Sequence, residues 1–240
     1  MSDNLVQHTV RELVLANRIL AREDVIDDFG HVSLRHPTNP GRYFLARSRS
    51  PVAVTGDDIM EFELDGTPVE ARSRRPYLER AIHGTIYMAR PDVMSVIHHH
   101  ARPVIPFTVT KLELKPVFHM GSVMGAQVPV WDSQEEFGDT NMLVDDLPKG
   151  HSLAKALGAS RSVLLARHGA CNVGHSLRAA VFTAVYMKDN AAMILASLPH
   201  RPVSYLTQGE VEQTASMLLS DTPLARAWDY WLTRAGFGGV

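Results

Sequence analysis

The run Val96-Ile97-His98-His99-His100 constrains this chain more than any other stretch. Its apolar lead-in predicts a strand from Val93 to His100, in which side chains alternate between faces. His98 and His100 then leave one face and His99 the other, so two imidazoles can meet one metal ion. Further ligands must come from elsewhere. Two candidates are His168, in Leu164-Leu165-Ala166-Arg167-His168-Gly169, and Glu79, in Pro76-Tyr77-Leu78-Glu79. Three imidazoles with one carboxylate suit Zn, Mn, Fe or Co better than Ca or Mg. The competing reading is a histidine-rich strand end that faces solvent, since short histidine tracts bind metals without a dedicated site.

A chain of 240 residues with 45% apolar and 21% charged residues can bury a sizeable core. No Pro/Gly/Ser-rich linker or block of like charge divides it, so residues 1–240 read as one domain with a helical tail from about 200 to 240. The formal net charge of −2 carries no basic stripe, which argues against nucleic acid and for a small-molecule partner. The one cysteine, Cys171, excludes an internal disulfide, fits a reducing compartment and reads as a small buried hydrophobe. The N-terminus has no basic region followed by an apolar one, and no run approaches the ~18 apolar residues of a membrane span. The expectation is a soluble, cytoplasmic protein.

In chain order, Val6 to Asp24 approximates the helical period. Phe29–Arg35 and Arg42–Ala46 alternate like paired strands around the turn formers Pro37-Thr38-Asn39-Pro40-Gly41. Arg47-Ser48-Arg49-Ser50-Pro51 is a polar loop whose arginines can hold an anionic group in bidentate fashion, unless it is simply solvated. Thr55 caps a short helix with Asp57 and Asp58 in its first turn. Phe62–Val69 reads as a strand, an Asp-Gly turn and a return strand. Pro76 opens a helix to about Ala89, placing His83 one turn after Glu79 as a supporting partner or competing ligand. Arg102–Val109 reads as a short helix, and Pro116–Met120 and Val128–Trp131 as strand pieces. His119, between Phe118 and Met120, reads as a buried, hydrogen-bonded histidine, with ligation as the alternative. A helix over His151–Leu157 stops at Gly158. Ser162–Ala166 and Ala170–Gly174 pair as strands, followed by helices from Ser176 to about Ser197 and from about Thr207 to Arg234. Met187 and Met193 read as core filler.

The series Pro76-x-x-Glu79-x-x-x-His83, Val96-Ile97-His98-x-His100 and Leu164-Leu165-x-x-His168-Gly169-x-x-x-x-Gly174, then a long helix with Tyr186 and Asn190, resembles the class II aldolase/adducin family over roughly residues 5 to 200. The resemblance implies a three-layer α/β/α domain on a mostly antiparallel central sheet. It also implies a homotetramer with active sites between subunits, one divalent metal per subunit on His98, His100 and His168, and Glu79 as acid/base.

The departures from the family pattern bear on substrate. Where members acting on phosphorylated sugars have two small hydroxyl residues before the glutamate, this chain has Tyr77 and Leu78. Their Gly-Asn-hydroxyl motif appears as Gly30-His31-Val32-Ser33, which keeps the hydroxyl but puts His31 in place of the asparagine. Ser48-Arg49-Ser50-Pro51 stands where they have a Ser-Gly phosphate turn. Tyr77 and Leu78 suit a flat ring, and Arg47 or Arg49 can pair with a carboxylate, which makes His31, Ser33, Arg47, Arg49 and Tyr77 candidate substrate contacts. This pattern resembles the family's decarboxylases of aromatic hydroxy-dicarboxylates. Aldolase and decarboxylase alike break a carbon–carbon bond and leave electrons, enolate-like, on a carbon conjugated with an oxygen held by the metal. An aldolase acting on an unphosphorylated keto acid and an adducin-like scaffold without catalysis are the alternatives.

Overall fold

The computed structural model describes residues 2–70, 73–200 and 202–237; Met1 and the last residues of the expected tail, 238–240, lie outside these. Helix α1 (Ser2–Arg22) buries Leu13, Ala16, Ile19 and Leu20, the stripe its period predicts. Strands β1 (His31–Arg35), β2 (Arg42–Ala46) and β3 (Ile59–Glu63) follow, then α2 (Arg80–Ala89), β4 (Ser95–His99), α3 (Ile105–Val109), β5 (Val130–Trp131) and α4 (Ser133–Phe137). The chain continues through α5 (Leu147–Leu157), β6 (Ser162–Leu165), β7 (Gly169–Gly174), α6 (Leu177–Ser197), α7 (Gln208–Leu218) and α8 (Asp221–Arg234).

Among the described residues, seven strands form one sheet in the order β3-β2-β1-β4-β7-β6-β5. Every pairing is antiparallel except β5 with β6. Helices α2 and α5 pack together over one face, and α1, α6 and α8 over the other. The result is the expected three-layer α/β/α fold. β4 sits mid-sheet between β1 and β7, with both faces covered, and is buried along its whole length. Its register pairs His98 with His31 of β1 and with Cys171 of β7, so all three share the α2 face. Cys171 is fully buried, as expected.

Several local expectations give way to tertiary contacts. Pro76 does not open a helix; it bridges to Arg47 while Arg75 O accepts from Ser48 N (2.8 Å), which keeps the chain extended until Glu79 caps α2. The return strand after Asp65-Gly66 is a single bridge from Phe62 to Pro68, because proline has no N–H to extend a ladder. Pro116–Met120 is not a strand. Its neighbouring backbone groups are taken by the Asn190 side chain, which accepts from Val117 N (2.9 Å) and donates to Lys115 O (2.9 Å), and by Leu206 N, which donates to Pro116 O. The C-terminal helix breaks in two at Leu219-Ser220, where Ser220 caps α8 and puts Pro223 in a first turn that tolerates it. Met187 is core, whereas Met193 is 43% exposed.

A candidate metal centre at the end of β4

Strand alternation delivers the two histidines as predicted. His98 Nε2 and His100 Nε2 lie 3.1 Å apart. His168 comes from the turn between β6 and β7, where Arg167 adopts φ +60 and an ion pair from its guanidinium to Asp132 (2.6 Å) ties down the bend. One ligand atom from each of His98, His100 and His168 lies within 4.8 Å of the others. Gly169 follows without a side chain for a steric reason: a Cβ there would sit 2.4 Å from His99 O and 2.9 Å from the His100 ring.

The surroundings fix which nitrogen of each ring is bare. His98 Nδ1–H donates to Ala170 O (3.2 Å), and His100 Nδ1–H donates to Asp27, 3.2 and 3.3 Å from its two oxygens. In the neutral rings neither Nε2 then carries hydrogen, and two lone pairs face each other across 3.1 Å. A shared cation relieves that repulsion. Burial also holds the His98 imidazole well below its ordinary pKa, and burial together with the neighbouring His100 pushes His168 down to about 4. Neutral imidazoles are the form that ligates metal. His168 Nδ1 is buried with no hydrogen-bond partner among the described residues. The residues fit a divalent metal.

Glu79 completes the set. Its Oε1 accepts from Val144 N (3.0 Å), and its Oε2 lies 3.6 Å from His98 Nε2 and 3.9 Å from His168 Nε2. Although it caps α2 by position, it makes no side-chain capping bond; the loop before α5 orients it instead. Burial pushes this carboxyl up toward its neutral form.

His99 points to the other face, as the alternation requires. Its Nε2–H donates to Asn172 Oδ1 (2.8 Å) and its Nδ1 accepts from Ala101 N (3.2 Å), while Asn172 Nδ2 donates to Ser162 Oγ and contacts Met187 Sδ on α6.

The remaining candidates divide. His31 is buried beside the cluster, its ring 5.2 Å from that of His98 and 4.7 Å from that of Tyr77. The Tyr77 hydroxyl donates to Arg49 O, so the Arg47–Pro51 loop adjoins this wall. Arg47 and Arg49 are not free: they converge on Asp58, at 2.6 and 3.1 Å. Asp58 is also bonded by Thr55, and although burial opposes its ionisation, these donors pull its carboxyl down to about 2. His83 does not partner Glu79. It bonds His31 Nδ1 (2.7 Å) and Ser33 Oγ (2.6 Å), and Ser33, fully buried, spends its hydroxyl on His83 and Tyr87 rather than facing substrate. His119 is exposed on a 3₁₀ turn (His119–Met124), bonded only to Met120 Sδ among the described residues, which corrects the buried reading. Sequence reasoning missed Asp27, Val144, Asp58 and Tyr87, and only Asp58, as a capping residue, carried any signal.

A family profile of the class II aldolase and adducin N-terminal domain matches residues 11–195. The chain belongs to this family. It is 31% identical over 255 aligned positions to decarboxylase tropJ of Talaromyces stipitatus, covering 96% of this chain and 95% of that protein. It is 28% identical to the 3,4-dihydroxyphthalate decarboxylase of Arthrobacter keyseri, covering 76% of each chain. Among solved structures, the L-fuculose 1-phosphate aldolase of Glaciozyma antarctica superposes with a TM-score of 0.78 at 19% identity, over 95% of this chain and 90% of that one. No helix among the described residues is long and apolar enough to cross a membrane.

Proposed function

We propose that this chain is a carbon–carbon lyase that removes carbon dioxide from a hydroxylated aromatic carboxylate or dicarboxylate, with one divalent metal per subunit, zinc or manganese before iron or cobalt. The observation that carries the reading is Glu79: one buried carboxyl whose first oxygen is fixed by Val144 N–H and whose second faces the histidine set. The similarity to decarboxylases over most of the chain, and the loss of three phosphate-binding elements, favour decarboxylation over aldol cleavage. A scaffold role sits poorly with retention of all three histidines and Glu79.

A metal on His98, His100 and His168 supplies a Lewis acid for the substrate's oxygens. The chain's own groups do the rest. The bond from ring carbon to carboxylate breaks, carbon dioxide leaves, and the electron pair left on the carbon takes the proton that Glu79 Oε2 brings in its neutral form. Tyr77 and His31, their rings 4.7 Å apart and tilted 43° to each other, form an aromatic corner for the ring. Two guanidiniums share one carboxylate at Asp58, so the clamp keeps a surplus positive charge that suits a second substrate carboxylate.

The active unit is the whole chain as one domain, in the cytoplasm, within aromatic compound catabolism. We place it in a homotetramer with the sites near subunit boundaries, which would cover Phe29 and Leu78, 71% and 63% exposed and within two positions of site residues. The test is a carbon-dioxide release screen of metal-loaded protein over hydroxylated phthalates and benzoates. Release from at least one ring, lost on chelation, is expected. Release of an aldehyde and a keto acid from an unphosphorylated aldol substrate, without carbon dioxide, would replace this reading with the aldolase.

A further inference from the structure

Behind His31 a single file of hydrogen bonds runs away from the histidine cluster: His31 Nδ1 to His83 Nε2 (2.7 Å), His83 Nδ1 to Ser33 Oγ (2.6 Å), and Ser33 Oγ to Tyr87 Oη (2.7 Å). Every member is buried, and no carboxylate hydrogen-bonds any of them among the described residues. Each link holds one hydrogen, so the file has a direction, and the direction decides which edge of His31 carries its N–H. The far end settles it. Tyr87 has one hydroxyl hydrogen and two acceptors in reach: Ser33 Oγ at 2.7 Å and Met94 O at 3.4 Å, the second beyond the usual range. Tyr87 cannot turn to improve the longer contact, because Arg35 lies 4.6 Å over its ring and donates to its carbonyl (2.9 Å). The hydrogen therefore goes to Ser33, whose own hydrogen goes to His83 Nδ1. His83 Nε2–H then donates to His31 Nδ1, and the hydrogen of His31 is left on Nε2.

We propose that Tyr87, Ser33 and His83 are positioning residues that fix His31 as an Nε2–H donor beside the histidine cluster, so that the site selects a substrate with an acceptor oxygen, carboxylate or phenolate, at that place. This rests on the reading of the cluster as the substrate site. With the file reversed, the same ring would present a lone pair and repel such an oxygen. The family's asparagine at this position can turn either end of its amide outward, whereas a histidine needs its tautomer set from behind.

The test is long-range proton–nitrogen NMR of the full, zinc-loaded chain carrying ¹⁵N-histidine, with His31 and His83 assigned by substitution to Gln. Both rings should show a protonated Nε2 and an unprotonated Nδ1. In Tyr87→Phe, and separately in Ser33→Ala, loss of the fixed donor should turn both signals into tautomer mixtures. A wild-type His31 protonated on Nδ1 overturns the proposal without any variant, as do unchanged tautomers in both variants. Saturation with 3,4-dihydroxybenzoate as probe should then move the His31 Nε2–H resonance; movement at His98 and His168 without movement at His31 overturns the donor role. A spectrum with no response anywhere counts against the aromatic-carboxylate reading, and leaves the relay to be judged by its tautomers.

Discussion

Asp27 is the most informative residue to perturb, because its effect on the metal can be worked out without knowing the substrate. Its Oδ1 accepts from Phe29 N (3.0 Å) and Gly30 N (2.9 Å), and the carboxylate receives His100 Nδ1–H at 3.2 and 3.3 Å. Burial opposes its charge, but the Phe29 amide, His100 and the Gly30 amide outweigh that and lower its pKa. In Asp27→Asn the amide oxygen keeps the two backbone bonds, which leaves the NH₂ facing His100 Nδ1. Two donors then meet. His100 does best by moving its hydrogen to Nε2, the nitrogen the metal needs. A hydrogen bond to a charged group contributes about 1.5–3 kcal/mol, but these contacts are long and the Asp27 side chain is 45% exposed, so the low end applies. That is a weakening of zinc affinity by about tenfold, the lower bound typical of such supporting carboxylates. Competition with a chromophoric chelator reads this directly, with His100→Ala as the reference for full loss. An affinity within twofold of wild type, while His100→Ala loses zinc, would refute the argument that Asp27 sets the tautomer of His100.

Further outcomes follow from the same geometry. Glu79→Gln should keep stoichiometric metal and lose turnover by roughly 10²–10⁴, the contribution of a positioned acid; unchanged turnover moves the proton donor elsewhere. Alanine at His98 or His168 should abolish stoichiometric metal. His99→Ala should keep it but lose roughly 1–3 kcal/mol of stability by leaving the buried Asn172 Oδ1 without its donor, measured by metal analysis and denaturant titration. Arg49→Ala or Arg47→Ala should weaken binding of an aromatic dicarboxylate by roughly 1.5–3 kcal/mol and leave a monocarboxylate nearly unaffected; equal losses would make the loop a purely structural clamp on Asp58. The metal-free protein should lose stability as pH falls from about 6.5 toward 4. His99 and His168 have folded pKa values of about 4 against an ordinary 6.5, so the unfolded chain binds more protons across that window. Identical unfolding temperatures at pH 7 and pH 5 would contradict this.

What could be read from the sequence was what is local in period. The parity of His98, His99 and His100, the hairpin at 37–41, the Thr55 cap and the stop at Gly158 each follow from backbone geometry over a few residues. The long α6 was equally plain from Ser176, whose side chain caps it. What failed depends on partners distant in the chain. Pro76 looks like a helix opener until Arg47 is known to lie beside it, and Pro116–Met120 looks like a strand until Asn190 takes its backbone groups. The site divides the same way. The candidate ligands sit at recognisable positions, but Asp27 meets His100 across 73 residues of chain, and Val144 meets Glu79 across 65. No spacing rule reaches that far. Ser33 and His83 were visible as polar residues near the motif; only the packing of α2 on β1 turns them inward, away from substrate.

Three identical side chains in a row pose a problem of indexing. A strand sliding by one residue would present His99 where His98 and His100 belong, and composition alone would not penalise the slip. Asn172 removes the ambiguity, because it accepts a hydrogen from an imidazole on the α6 side and is itself held by Ser162 and Met187. The back of the sheet thus counts residues for the front. A lesion at Asn172 would remove the partner that tells His99 from its two neighbours, while leaving each candidate ligand in the chain.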